Sequence, residues 1–319
     1  MALTTTLLRG ALGSLRKRPP YEGAALPARV LTAPSVRIDA RHVAAYAEVC
    51  GFPPTGGTGP LPPTYPHLLG FPLAMRLLAG ADFPFPLLGL VHTGIEVAQR
   101  RALRPGDRPE IRVHTEGLAP HRRGTAFHVV TSAWLDGAEV WSSRSTYLCR
   151  HRRPDAAPET GGADGAVRTN RTDTATRTDG AGDAAPLPVR AEWRLPGDLG
   201  RRYGAVSGDR NPIHLHPLTA RAFGFPRAIA HGMWTFARCL AETSGTAVGT
   251  GAGTGTGTGT GTSDPERLTA HARFAAPVLL PGEVVLLAGD GAEGAFALRD
   301  SRDRARLHVS GKVSSGPPS

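Results

Sequence analysis

The chain has 319 residues, enough for one large domain or two of about 150 residues each, and 40% of its residues are apolar. No stretch approaches the ~18 consecutive apolar residues of a membrane-spanning helix, so we expect no membrane span. The net charge is +10, but arginine spread along the chain supplies nearly all of it, without a helix-turn-helix, zinc-finger or aromatic-basic pattern. These features argue against nucleic acid as a partner.

The three cysteines, Cys50, Cys149 and Cys239, are odd in number and far apart. We therefore expect neither a disulfide framework nor a cysteine metal site, and we expect no other metal. Near the amino terminus, Arg9 interrupts an apolar run, and basic residues follow that run instead of preceding it, the reverse of a secretory signal. We expect a cytoplasmic protein with residues 1–20 as an amphipathic arm lying on it; a membrane-surface role is the alternative for the arm.

Two low-complexity segments interrupt the chain. Residues 151–188 are rich in Thr, Asp, Gly and Ala and contain no Phe, Trp or Tyr. Because such a segment cannot bury enough apolar area to offset the entropy lost on ordering, we predict a flexible linker. Residues 245–262 are nearly pure Gly-Thr repeats, which predicts a disordered surface insertion. We expect neither segment to carry chemistry.

The segments that flank the linker, residues 21–150 and 189–315, share an internal repeat. Tyr46 is followed by Gly51 five residues later, and Tyr203 is followed by a glycine at the same interval. Each pair precedes an apolar helix candidate, then a Pro-Gly turn with an acidic residue, then several alternating strand-like runs. This repeat predicts two similar units in one chain.

The central helix of each unit is apolar enough to be buried. In the first unit, Pro72 suits the first position of a helix and Gly80 its end. In the second unit, one apolar stripe at helical spacing contains Met233, Phe236, Ala237 and Leu240. Because a buried helix followed by antiparallel strands implies a sheet wrapped around the helix, we predict the α+β class.

The segment from Tyr203 to His214 is the most informative part of the sequence for chemistry. Asp209 lies within six residues of His214, and the Asn211-Pro212 step between them favours a turn that could aim both side chains into one cavity. A carboxylate and an imidazole that hold one water between them form a general acid–base pair, because imidazole titrates near neutrality. Taken alone, the same segment also fits an Asx turn followed by a surface histidine.

A second candidate element is the sequence Ala230-His231-Gly232-Met233, which opens the apolar helix of the second unit. Main-chain N–H groups at a helix start carry partial positive charge and stabilise a developing oxyanion. Gly232 has no Cβ, so a thioester carbonyl could approach its N–H closely. The alternative is that this glycine only allows the helix start to pack tightly.

Together, residues 203–214 and 230–233 closely resemble the hydratase-2 motif of MaoC-like (R)-specific enoyl-thioester hydratases. The first unit resembles the actinobacterial two-hotdog 3-hydroxyacyl-thioester dehydratases. The stretches that carry the second resemblance are Tyr65-Pro66, residues 82–85 (Asp-Phe-Pro-Phe) and residues 121–124 (His-Arg-Arg-Gly). The two resemblances cover roughly residues 20–150 and 189–315.

The resemblance implies a tandem, or double, hotdog: two helix-plus-sheet units packed as a pseudo-dimer, with a homodimer of whole chains left open. The implied activity is reversible syn hydration of trans-2-enoyl thioesters to (3R)-3-hydroxyacyl thioesters, with no metal or redox cofactor. Coenzyme A or an acyl-carrier protein would carry the substrate. By the same resemblance, Asp209 and His214 are the catalytic pair, Asn211 orients them or the substrate, and the Gly232 N–H polarises the thioester carbonyl.

The first unit departs from this pattern. Phe52 stands where the repeat has Asp209, and Gly57 stands where it has His214. We therefore predict one active site per chain, with the first unit lining an acyl tunnel. Further candidate substrate contacts are Tyr203, Ser207, His231, Phe52, His92, Arg210 and Arg227. For His92 the alternative is a structural role, and for the two arginines the suggested ligand is a carrier phosphate.

Two other functions remain as alternatives. A hotdog thioesterase would need an acidic nucleophile or base on the central helix, but Glu242 lies at its far end, and Arg76 and Arg238 hold the mid-helix places. A non-catalytic acyl-thioester-binding partner is the other alternative. The intact Asp209, Asn211 and His214 set argues against it, because such groups are costly to bury without a use.

Overall fold

The computed structural model describes residues 23–54, 56–152, 187–244, 267–289 and 293–315, together with Lys17, Pro19 and Tyr21. Most of the predicted arm at 1–20, most of the predicted linker at 151–188 and the whole predicted insertion at 245–262 lie outside these residues. Those assignments, and the unit boundaries that depend on them, stay predictions. Within the described ranges, no helix is long and apolar enough to cross a membrane.

Ten antiparallel strands form one continuous sheet. Those of the first unit are β1 (Leu31–Ala33), β2 (Leu90–Gln99), β3 (Glu110–His121), β4 (Gly124–Leu135) and β5 (Ala138–Arg150). Those of the second are β6 (Val189–Leu195), β7 (Leu268–Phe274), β8 (Gly282–Ala288), β9 (Glu293–Asp300) and β10 (Leu307–Ser315). The order across the sheet is β1-β3-β4-β5-β2-β7-β10-β9-β8-β6, so the second unit repeats the first in mirror order.

The two units meet where β2 pairs with β7, from Gly94 opposite Arg273 to Gln99 opposite Leu268. Each strand of this pair is the second in its own unit, so the halves are related as by a twofold axis between them. The α+β class and the double-hotdog arrangement predicted from the sequence are confirmed.

The central helices have equal length: α2 (Pro66–Leu78) and α6 (Gly232–Ser244) have 13 residues each. In α6 the predicted apolar stripe is buried, with Phe236 and Leu240 fully enclosed. In α2 the prediction that Pro72 begins the helix is wrong, because the helix begins at Pro66 and Pro72 lies inside it. Pro66 takes the position where no main-chain N–H is needed, and burial of the apolar helix against the sheet outweighs the hydrogen bond that Pro72 cannot make.

The Tyr-Gly repeat marks equivalent helices in the two units. Helix α1 (Ala40–Cys50) ends at Gly51, and α3 (Leu199–Ser207) ends at Gly208. Both glycines have φ of 75°, in the left-handed region where glycine ends a helix without steric cost. Tyr46 and Tyr203 are both fully buried, with ring centroids 6.2 Å apart. The repeat therefore brings α1 and α3 into contact, and α3 leads into residues 208–214, which we call the catalytic-motif loop.

Candidate active site

The loop after α3 is held by a series of local hydrogen bonds. The main-chain N–H of Asp209 donates to Ser207 Oγ at 3.1 Å, and the N–H of Asn211 donates to Asp209 Oδ1 at 3.1 Å. Asn211 Oδ1 accepts from the N–H of Ile213 at 3.4 Å and so caps the short helix α4 (Pro212–Leu215). The Asx-turn interpretation thus describes the local bonds correctly, but it does not describe His214, which is buried.

His214 has only 8% of its surface exposed. Its Nδ1 lies 2.8 Å from the main-chain oxygen of Ile229, and because a carbonyl can only accept, Nδ1 carries the proton. The lone pair is therefore on Nε2. Burial lowers the pKa of His214, while the charge of Asp209 and the Ile229 bond act in the opposite direction. A neutral imidazole with a free Nε2 lone pair is suited to accept a proton.

His231 connects the loop to the start of α6. Its Nε2 donates to the main-chain oxygen of Asp209 at 3.0 Å and lies 3.9 Å from the Asp209 carboxylate. Its ring stacks on His214 with centroids 3.7 Å apart and planes 26° apart. Burial, and after it the neighbouring His214, lower the pKa of His231 to about 3. His231 therefore holds the catalytic-motif loop in place as a neutral side chain.

Gly232 is the first residue of α6, and the first N–H groups of a helix have no partner within it. A Cβ at this position would lie 3.3 Å from ring carbons of Phe274, so the glycine also permits tight packing. The two explanations offered for this glycine are thus compatible. The ionisable donor atoms of Asp209, His214 and His231 lie within 4.8 Å of one another beside this helix start.

That three-residue cluster has the residue types of a metal site. Metal ions bind histidine along a lone pair in the plane of the ring, at about 2.0–2.1 Å for zinc. The rings of His214 and His231 stack nearly parallel at 3.7 Å, so their in-plane lone pairs do not converge on one ion at that distance. The arrangement favours proton transfer over metal binding.

The other predicted contacts lie at different places. Tyr203 is buried beside His231, with ring centroids 4.9 Å apart, whereas Phe52 stacks on Tyr46 in the first unit at 6.5 Å. Arg210 is exposed within the catalytic-motif loop. Arg227 is exposed and donates to the main-chain oxygen of Pro281 at 2.9 Å. Tyr203, Ser207 and His231 therefore lie close to Asp209 and His214. The guanidinium of Arg227 instead points towards the main chain at Pro281.

Polar groups of the first unit lie within electrostatic range of Asp209. The charge of Asp209 acts on His67 and His92, opposing the burial that lowers the pKa of His67 to about 4 and that of His92 to about 3. Burial raises the pKa of Tyr147, and Asp209 raises it further. Sequence reasoning singled out His92 but not His67 or Tyr147. His67 has a usable signal, since it follows Pro66, the repeat counterpart of Gly232.

A separate open groove of about 410 Å³ lies on the outer face of the sheet, between β2, β4, β5 and β7. Its lining includes Glu96, Arg144 and His271, whose side chains point away from the central helices. It contains none of the residues of the catalytic-motif loop, so it is distinct from the site at α6.

Comparison with known proteins agrees with this geometry. The model of the MaoC-like domain matches residues 185–289, which include the catalytic-motif loop and the start of α6. A Mycobacterium tuberculosis protein named 3-hydroxyacyl-thioester dehydratase X is 34% identical over 296 residues, covering 90% of this chain and 89% of the relative. The chain belongs to the MaoC-like family.

Solved structures show that the MaoC-like resemblance extends over both units. The crystal structure of HtdX from Mycobacterium tuberculosis is 31% identical, with a TM-score of 0.69, and the match covers 90% of this chain and 100% of that one. A second Mycobacterium tuberculosis protein, described as having a double hotdog fold, matches 95% of this chain and 98% of its own, with 15% identity and a TM-score of 0.52. The latter supports the fold alone.

Proposed function

We propose that this MaoC-like chain catalyses the reversible hydration of trans-2-enoyl thioesters to (3R)-3-hydroxyacyl thioesters, in one active site in the second unit. The observation that carries the proposal is the placement of Asp209 and the unprotonated Nε2 of buried His214 beside the first N–H of α6. The named activity of the 34% identical relative supports the same reaction.

The closeness of the two ionisable side chains suits a syn reaction. In syn elimination, the proton removed from C2 and the hydroxyl that leaves C3 are on one face of the substrate. Donor atoms within 4.8 Å of each other can serve both positions from that face. One member of the Asp209–His214 pair accepts the C2 proton while the other member protonates the departing hydroxyl. Because the two groups share their protons, the roles belong to the pair.

The start of α6 supplies the electrostatic part of the mechanism. Removal of the C2 proton moves negative charge onto the thioester oxygen. The Gly232 N–H at the positive end of α6 stabilises that charge in the transition state. Asn211 acts as a positioning residue, because its side-chain oxygen caps α4 and thereby fixes the turn between the two catalytic groups.

The proposal includes no cofactor, since hydration transfers no electrons and the acid–base pair and the helix start supply the required catalysis. The acyl group would be carried as a thioester of coenzyme A or of an acyl-carrier protein. Exposed Arg210 within the catalytic-motif loop is the candidate contact for a phosphate of either carrier.

The direct test follows the loss of the conjugated thioester absorbance of a trans-2-enoyl-CoA. We expect turnover by the wild type and a loss of at least about 10²-fold for Asp209→Asn and for His214→Ala. The matched control is His128→Ala, because His128 is a partly buried histidine on β4 that bonds Thr146 Oγ1 at 3.1 Å, away from the catalytic-motif loop. Equal losses in all three variants would contradict the assignment.

The same assay separates the alternatives. Release of free coenzyme A would indicate a thioesterase, although Arg238 holds Glu242 at 3.4 Å and also lies over the Trp193 ring, which leaves Glu242 poorly placed as a nucleophile. Binding of the thioester without conversion would indicate the non-catalytic acyl-binding role.

A further inference from the structure

A β-bulge in the first unit changes the direction in which His92 points. Along β2, the buried side chains are Ile95, Val97 and Gln99, so strict alternation would put Thr93 on the inner face and His92 on the outer face. The pairing with β5 slips by one residue, so that His92 lies opposite Tyr147 while Gly94 lies opposite Thr146. The extra residue, Thr93, turns His92 to the inner face. Bulges recur beside active sites because they redirect a side chain in this way.

The inner position places His92 near the helix start of the second unit. Its ring stacks on Tyr147 at 4.8 Å, with planes 15° apart, and lies 5.0 Å from the ring of Phe274. Phe274 in turn covers Gly232. His92, Tyr147 and Phe274 are all partly exposed although they lie on the inner face of the sheet, as expected for residues that line an internal space.

The ring of His92 presents an unpaired acceptor. Nε2 is shielded from solvent and has no hydrogen-bond partner among the described residues. The main chain of Gly94 raises the pKa of His92, as a carbonyl beside the ring does, and because Nε2 has no such partner we assign the proton of the neutral ring to Nδ1. The lone pair is then on Nε2. A buried polar atom without a partner lowers stability, so its retention calls for a ligand that satisfies it.

Nε2 can only accept a hydrogen bond, and this restricts the ligand group. A thioester carbonyl and a carbon–carbon double bond have no proton to donate, whereas a hydroxyl or a water has one. His92 lies near the residues proposed to handle the 3-position, because Phe274 contacts both His92 and the Gly232 position that directly follows His231. A hydroxyl that accepts a hydrogen bond from the protonated member of the Asp209–His214 pair still has its own single proton to donate, and Nε2 of His92 can accept it.

We propose that His92, from the unit without the catalytic pair, binds the substrate by accepting a hydrogen bond from its 3-hydroxyl through Nε2. In the hydration direction the same atom accepts from the attacking water. This inference rests on the proposed function, and it makes the first unit a source of selectivity for hydroxyacyl over saturated acyl thioesters.

The test measures binding by calorimetry in an Asp209→Asn background, where the ligands are not interconverted. The probes are (3R)-3-hydroxyhexanoyl-CoA and hexanoyl-CoA, which differ only in the hydroxyl. His92→Phe keeps an aromatic ring between Tyr147 and Phe274 but removes the acceptor. We expect about tenfold weaker binding of the hydroxyacyl ligand, the size of one hydrogen bond, and little change for the saturated ligand.

His92→Gln supplies an oxygen acceptor near the same place, and we expect it to restore part of the preference. The matched control is His271→Phe, because His271 lies on the outer face of β7 and should leave both affinities unchanged. Equal weakening of both ligands by His92→Phe would indicate a packing role or a contact with the shared carrier, and would overturn the proposal. No preference for the hydroxyacyl ligand in the parent protein would also overturn it.

A measurement on the His92 ring itself tests the proposal even if the His92→Phe variant does not fold. In protein with ¹⁵N-labelled histidine, the hydroxyacyl ligand should shift the Nε2 resonance of His92 in the direction of hydrogen-bond acceptance, and the saturated ligand should not. An unchanged resonance would overturn the proposal. Turnover of enoyl-CoA by the wild type reports separately on the proposed function, so failure of one inference is distinguishable from failure of the other.

Discussion

The stacked imidazoles of His214 and His231, 3.7 Å apart, each donate one proton to a main-chain carbonyl. His214 donates through Nδ1 to Ile229, and His231 donates through Nε2 to Asp209. These bonds determine both tautomers and leave His214 with its lone pair on Nε2. Because a charge on either ring would repel a charge on the other, the pair is stable as two neutral rings.

His231 is therefore expected to act through Asp209. His231→Phe keeps a ring stacked on His214 but removes the donor to the Asp209 carbonyl, so the catalytic-motif loop loses one hydrogen bond. We expect a loss of about 1–2 kcal/mol in the free energy of unfolding and about tenfold in kcat/KM. Urea denaturation and the enoyl-CoA assay measure the two effects.

His231→Gln is the companion variant, since its amide can donate to the same carbonyl. Recovery of kcat/KM with this variant would identify the hydrogen bond as the cause. Equal activity losses in the Phe and Gln variants would point to the imidazole itself and contradict the positioning role.

Activity should depend on pH through His214. Because burial lowers the pKa of His214 below its ordinary value of 6.5, its Nε2 stays unprotonated at neutral pH. If catalysis requires that lone pair, kcat/KM decreases with acid only at pH values below 6.5 and is constant between pH 6.5 and neutrality. A pH profile with short-chain enoyl-CoA checks this. An acid limb centred above pH 6.5 would contradict the neutral, buried imidazole.

The free energy of unfolding should also decrease as the pH is lowered. His67, His92 and His231 have folded pKa values of about 4, 3 and 3, below the ordinary 6.5. Between those limits the unfolded chain binds protons that the folded chain excludes, so these groups stabilise the fold above pH 6.5 and lose that contribution as pH falls. With three such groups the slope approaches about 4 kcal/mol per pH unit.

The measurement is the free energy of unfolding from urea titrations between pH 7 and 5. His92→Gln should reduce the slope by about 1.4 kcal/mol per pH unit, because the unfolded chain then binds one proton fewer. A free energy that stays constant over this interval would show that the three imidazoles are accessible to protons in the folded state.

The part of the fold that sequence predicted best depends on local pattern. The Tyr-Gly repeat and the apolar stripe of α6 are short-range features, and both correspond to structural elements. The Asp209–His214 segment was also recognisable, because its turn is made by bonds within six residues. The prediction that Pro72 begins the helix is wrong, because the sequence alone does not distinguish a proline at a helix start from a proline inside a buried helix.

The contribution of the first unit was harder to predict because it depends on pairing between distant strands. Simple alternation along β2 would turn His92 outward, and only the one-residue slip against β5 turns it inward. Likewise, nothing near Tyr147 in sequence shows that its ring stacks on His92. Such placements follow from the register of the whole sheet.

The start of the two central helices offers the sharpest test of the oxyanion role. The first unit has Pro66 where the second has Gly232, and proline at this position has no N–H yet begins a stable helix. Gly232→Pro, made together with Phe274→Leu because the proline Cβ would otherwise lie 3.3 Å from Phe274, should therefore preserve the fold while it removes the proposed donor. We expect kcat to fall about 10²–10³-fold, the effect of losing one oxyanion donor, with a smaller change in KM.

The companion variant Gly232→Ala keeps the N–H but places a Cβ 3.3 Å from Phe274, so pairing it with Phe274→Leu relieves the contact. This double variant should retain most of the activity that Gly232→Pro loses. If the double variant is as inactive as Gly232→Pro, tight packing at the helix start is the reason for the glycine, and the N–H is not the oxyanion donor.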